Sequence, residues 1–172
     1  MKNLQNLRTL LFAAIAIIYS TTSTAQQNDE IQNYDQKFKL GFGVTGGIPT
    51  DGDDYDWALG GDVRLQYDLS KRTSLTLTTG FTNLFVSHDV PDLGFIPAKA
   101  GFKAFVWEDQ FYVMGEIGAG FAVTNGYNET SILWAPSIGY ATKHFDISLR
   151  YEDYDKFNTN QIGLRLAYGF EL

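Results

Sequence analysis

From Lys37 to the end of the chain, apolar residues alternate with small or polar ones at a period of two. That period belongs to extended chain with two unlike faces. The first such run sets Phe38, Leu40, Phe42 and Val44 against Lys39, Gly41, Gly43 and Thr45. The second is the most regular: Trp57, Leu59, Val63, Leu65 and Tyr67 alternate with Ala58, Gly60, Asp62, Arg64 and Gln66. A third run follows over Leu75, Leu77, Phe81 and Phe85. The fourth is weaker, with Ile96, Ala98, Ala100, Phe102 and Val106 on one face but Phe95 and Phe105 on the other. Four more complete the series, in the last of which Ile162, Leu164, Leu166, Tyr168 and Phe170 oppose Gln161, Gly163, Arg165, Ala167 and Gly169. Pro136 lies inside the sixth run. Proline has no N–H for the ladder, so a bulge or irregular pairing is expected there.

The connections alternate too. Long segments at 48–56, 87–94, 124–130 and 153–160 follow the odd runs, and short ones at 70–73, 107–110 and 141–144 follow the even runs. An antiparallel meander with one short-turned end and one long-looped end follows. The pattern predicts an all-β fold, an eight-stranded antiparallel up-and-down barrel. Unequal ends of this kind are typical of barrels that cross an outer membrane.

Alternation does not say which face points out. A soluble, lipocalin-like barrel would turn its apolar face inward around an apolar small molecule. Two features favour the opposite sense. Aromatic residues collect near the strand ends of the apolar face, including Trp57, Tyr67, Trp134, Tyr140, Tyr151, Tyr168 and Phe170, while Leu, Val and Ile hold the centres. Membrane interfaces select such girdles, and a closed apolar cavity does not. The other face is rich in small residues and carries charges of both signs: Lys39, Asp62, Arg64, Lys99, Lys103, Glu116, Asp146, Arg150 and Arg165. An eight-stranded barrel encloses little more than its own side chains. Those charges are expected to pair and close the lumen, which disfavours a wide pore.

The N-terminus points the same way. Lys2 and Arg8 precede the apolar run at 10–18, and Ser23 and Ala25 precede an expected cut before Gln26. This is the layout of a secretory signal peptide. The apolar run is about half the ~20 residues that a spanning helix needs. The expected organisation is therefore a signal peptide at 1–25, a polar lead at 26–36 and an outer-membrane barrel domain at 37–172. The net charge of -7 argues against nucleic acid as a partner. The absence of cysteine removes disulfides, thiolate metal sites and thiol nucleophiles.

Together the signal, the meander and the ending NQIGLRLAYGFEL at 160–172 resemble the small outer-membrane β-barrel domain proteins of the OmpA/OmpX type, and the stretch at 95–122 resembles versions seen in Bacteroidetes. The resemblance implies a bacterial outer-membrane location, contact with membrane lipids and lipopolysaccharide, and insertion by the barrel-assembly machinery. It implies no cofactor and no catalysis, with roles such as envelope integrity or adhesion.

Few residues offer chemistry beyond this. His88 sits between Ser87 and Asp89 in the second long loop. A hydrolase acting on lipid A would use such a trio, but triads arise from geometry rather than adjacency. Asp51, Asp53, Asp54 and Asp56 crowd the first long loop and could hold a divalent cation. A solvated acidic loop is the simpler expectation. Glu116 is read as one side of an interior salt bridge, because isolated buried charge is costly.

Overall fold

The computed structural model describes residues 36–50, 55–86, 91–107, 109–126, 129–157 and 159–172. Eight strands follow one another: β1 (Phe38–Pro49), β2 (Trp57–Asp68), β3 (Thr73–Phe85), β4 (Leu93–Trp107), β5 (Phe111–Ala122), β6 (Thr130–Ala141), β7 (Phe145–Tyr154) and β8 (Thr159–Glu171). Each pairs antiparallel with its sequence neighbour, and β8 returns to pair with β1, so the sheet is a closed barrel with no free edge. No helix among the described residues is long and apolar enough to cross a membrane.

The stagger of the barrel can be traced residue by residue. Leu40 faces Leu65, which faces Leu77, then Ala100, Ile117, Trp134, Asp153 and Asn160. The Asn160 carbonyl accepts from the Thr50 amide, which brings the row back to the first strand ten residues beyond its start. Eight strands with that stagger tilt by about 40° from the barrel axis, given the usual rise per residue and strand spacing.

The faces separate as the alternation requires. Ile117 and Ile132 are each 70% exposed on the outside, while Glu116 and Arg165 are 1% exposed within. Phe95 does lie on the inner face, fully buried. The strands run further than the sequence suggests at several ends: β1 continues through Pro49, β4 begins at Leu93, and β7 reaches Tyr154.

Pro136 interrupts the ladder without a bulge. Pairing between β6 and β7 skips from Trp134 with Asp153 to Ser137 with Arg150, and the register is the same on both sides of the gap. The other edge of Pro136 stays paired, opposite Gly115. Pro97 does the same in β4, where pairing with β3 lapses between Thr79 and Thr82. Each proline leaves one ladder short of a donor and spares the other. Among the described residues the one shift in register falls elsewhere, between Phe105 and Trp107, beside the turn into β5.

Candidate functional site

The lumen holds three groups of polar side chains. In the middle, Glu116 on β5 accepts from the Thr78 hydroxyl at 2.7 Å and faces Arg64 Nη2 at 3.3 Å. Lys99 and Arg150 approach the same carboxylate at 3.9 and 3.6 Å. Those two cations also bind Glu152 on β7, Lys99 at 2.6 Å and Arg150 at 3.3 Å. Glu152 further accepts from the Tyr154 hydroxyl at 2.8 Å and from the Gln161 amide. Two carboxylates thus share two cations across three strands, β4, β5 and β7.

Towards the short-turn end, Arg165 donates to both oxygens of Asp62, at 2.8 and 2.5 Å. Its fork fits a carboxylate edge-on. Space for it comes from Gly43, where a Cβ would stand 2.7 Å from the guanidinium carbon. Asp146 accepts from Lys103 and from the Tyr112 hydroxyl, each at 2.7 Å, and lies 3.7 Å from Arg165. The Lys103 ammonium also sits 3.8 Å from the centre of the Tyr112 ring. Nearer the rim, Asp68 meets Lys39 at 3.0 Å and accepts from Gln66 and Ser74. Every charge anticipated for the inner face therefore has a partner of opposite sign. Glu152 and Asp68 add to the charges expected to pair: the alternation already sets both on the polar face, Glu152 two residues after Arg150 and Asp68 two after Gln66.

A second kind of filling occupies the long-loop end. Leu84, Leu93, Phe95, Leu133, Tyr154 and Phe157 pack together inside the barrel. Phe95 meets the Tyr154 ring edge-on at 5.0 Å and the Phe157 ring at 5.3 Å. Tyr154 joins the two regions, with its ring in the apolar cluster and its hydroxyl on Glu152. This apolar plug was not expected from the sequence.

Outside, the aromatic residues form cross-strand pairs at both ends. Phe38 with Tyr67, Phe111 with Tyr140 and Phe145 with Tyr168 lie by the short turns. Trp57 with Phe85 and Trp134 with Tyr151 lie by the long loops. Phe170 is 6.3 Å from Phe42. Trp134 keeps its indole N–H on Asp153 at 2.9 Å, and Tyr140 its hydroxyl on Gln110 at 2.8 Å. A ring with an apolar body and a satisfied polar tip suits an interface.

Of the residues singled out for chemistry, Asp51, Asp53, Asp54, Ser87, His88 and Asp89 lie outside the described residues. Asp56 donates its backbone N–H to the Phe85 carbonyl at 2.9 Å. Among the described residues there is no group of three His, Cys, Asp or Glu placed to hold a metal ion. His144 stands at the opposite end, stacked on Tyr168 with its Nδ1 3.2 Å from the Gly169 carbonyl oxygen.

No protein-family model matches the chain, and no curated protein matches it. Solved structures do. The attachment invasion locus protein Ail of Yersinia pestis, in complex with the heparin analogue sucrose octasulfate, aligns with a TM-score of 0.56 at 17% identity, over 80% of this chain and 99% of that one. Ail in a phospholipid bilayer nanodisc gives 0.53 at 15%, over 77% and 99%. The N-terminal β-barrel domain of Pseudomonas aeruginosa OprF gives 0.52 at 14%, over 79% and 100%. At such identities the likeness is one of fold. The fold is that of the small eight-stranded outer-membrane barrels, in keeping with the resemblance read from the sequence.

Proposed function

We propose that the chain is an integral outer-membrane protein without catalytic activity, acting through surface loops carried on a sealed barrel. The observation that carries this reading is the sense of the barrel. Its outer surface presents Leu77, Ile117, Ile132, Leu149, Leu164 and Leu166 with large exposed areas, and its charges pair inside. Water would penalise that outer band heavily, whereas a bilayer core is its natural solvent. The interior leaves no apolar cavity for a lipocalin-type ligand among the described residues, because ion pairs and the Phe95 cluster fill it.

In this reading residues 1–25 direct export and are removed, the barrel-assembly machinery inserts the domain, and the short turns face the periplasm. The long loops then face the exterior, among lipopolysaccharide, in an envelope or adhesive role. Ail accommodates a polysulfated sugar analogue. Here the first long loop carries Asp51, Asp53, Asp54 and Asp56. That charge repels polysulfate and favours cationic surfaces or cation-bridged lipopolysaccharide.

Fractionation tests the reading. The folded chain is expected in the detergent-extracted outer membrane and is expected to migrate differently on gels before and after boiling. Recovery as a folded protein from the soluble periplasm contradicts it.

A further inference from the structure

The connection between β7 and β8 differs from the other long connections in where it sends a side chain. Asp155, Lys156 and Phe157 form its turn. Asp155 and Lys156 are exposed, as turn residues usually are, but Phe157 is only 8% exposed. Among the described residues of the long connections it is the one buried side chain. Tyr55, on the first of them, packs against the same apolar cluster while only partly buried. The Phe157 ring enters the barrel mouth, 5.3 Å from the Phe95 ring and 6.0 Å from that of Tyr154. Its seat is left open by Gly120 on β5, where a Cβ would stand 3.3 Å from the Phe157 ring and 3.2 Å from that of Phe95. A side chain at that position would crowd both rings in an interior already closely packed.

Two main-chain donors hold the turn down over this seat. The Asp155 amide donates to the Ile132 carbonyl at 3.2 Å, and the Lys156 amide donates to the Ser131 hydroxyl oxygen at 2.8 Å. Ser131 is fully buried on the inner face of β6, so its hydroxyl meets the turn from within the barrel. Tyr154, against which Phe157 packs, carries its own hydroxyl on Glu152, the carboxylate bound by Lys99 and Arg150. The Phe157 ring thus lies over the residue that leads into the ion-pair network. Strands β7 and β8 stay paired as far as Tyr154 with Thr159, so the turn can lift without unpairing either strand.

We propose that this connection is a stopper: the Phe157 ring, latched by Ser131, closes the loop end of the lumen and keeps external water and ions from the Lys99–Glu152 pair. The proposal deepens the sealed-barrel reading above and rests on it for which end is external. Excluding water keeps the local dielectric low and strengthens the ion pairs beneath. A ring on a turn is withdrawn by local motion while the barrel wall stays intact. A side chain on a strand, such as Leu84, has no such freedom.

Thiol labelling tests it. Leu133→Cys places a reporter at a fully buried position of the cluster, in a chain with no other thiol, and Ala135→Cys supplies a second, smaller change in the same cluster. The full chain, folded in detergent micelles, is treated with a small, permanently cationic methanethiosulfonate. Each reporter should label slowly by itself, and at least about tenfold faster once Phe157→Ala frees the mouth. Ser131→Ala should give a smaller gain. Leu84→Ala removes apolar bulk from the wall side of the cluster and should leave labelling slow. Lys156→Cys, on the exposed part of the turn, should label fast. Unchanged heat-dependent migration checks that each variant folds. Acceleration by Leu84→Ala equal to that by Phe157→Ala overturns the stopper, because the cluster as a whole then makes the seal. Reporters that label as fast with Phe157 in place as without it overturn it too. Recovery of the folded chain from the soluble periplasm contradicts the membrane reading instead, whatever the labelling shows.

Discussion

Two stretches of one lumen are filled in opposite ways. Around Glu116 and Glu152 the strands meet through shared carboxylates and cations. Around Phe95 and Leu133 they meet through rings and methyl groups. The apolar plug fills space, but it would tolerate a change of partner, since Leu packs on Leu in more than one register. The charged layers would not. A slip of one residue turns an inner face outward, and a Lys or Arg facing the bilayer midplane costs roughly 2–4 kcal/mol. The difference assigns the charged layers to register and the plug to closure of the loop end.

Removing one member of the charged layer should have the largest effect. Glu116→Ala strips Arg64 of the carboxylate it pairs with in a buried interior, at a cost of about 3–5 kcal/mol. Urea unfolding from lipid vesicles, followed by the heat-dependent gel shift, measures it. In the plug, Leu84→Ala should cost about 3 kcal/mol by the same assay, through lost burial and a residual cavity. A loss there as large as that of Glu116→Ala, accompanied by altered strand pairing, would erase the distinction. Replacing Asp62 with Leu and Arg165 with Met together should cost less than either change alone, to within about 1 kcal/mol of the parent, because no charge is stranded. The smallest effect belongs to the rim. Arg72 and Asp109 meet at 3.2 Å while well exposed, so Arg72→Ala should change stability by less than about 1 kcal/mol.

The outer face and the strand count are legible in the sequence because a period of two is a local property. Each residue from Leu164 to Phe170 declares its side by its neighbours. Partnerships across the lumen are not local. Lys99 and Glu152 come together only through the barrel's stagger, which no single strand encodes. The alternation sets Asp68 and Glu152 on the inner face, but it does not say which cations they meet. The plug was hidden for a different reason. In the run Ile132, Leu133, Trp134 the inner Leu133 sits between two lipid-facing residues. Three apolar residues in succession obscure the alternation that would have placed it. Pro136 was read correctly as a missing donor. Of the two outcomes expected there, a bulge or irregular pairing, the structure shows the second, because a gap on one ladder is enough to accommodate the proline.

The central claim is that even-numbered residues of β8 face lipid while odd-numbered ones face a closed lumen. The chain has no cysteine, so single cysteines can be introduced from Ile162 to Tyr168 and spin-labelled in bilayers. Oxygen accessibility at Ile162, Leu164, Leu166 and Tyr168 should exceed that at Gly163, Arg165 and Ala167, with little access for a water-soluble relaxation agent at the even positions. Reversed parity, or free access of that agent to the even positions, would contradict the account.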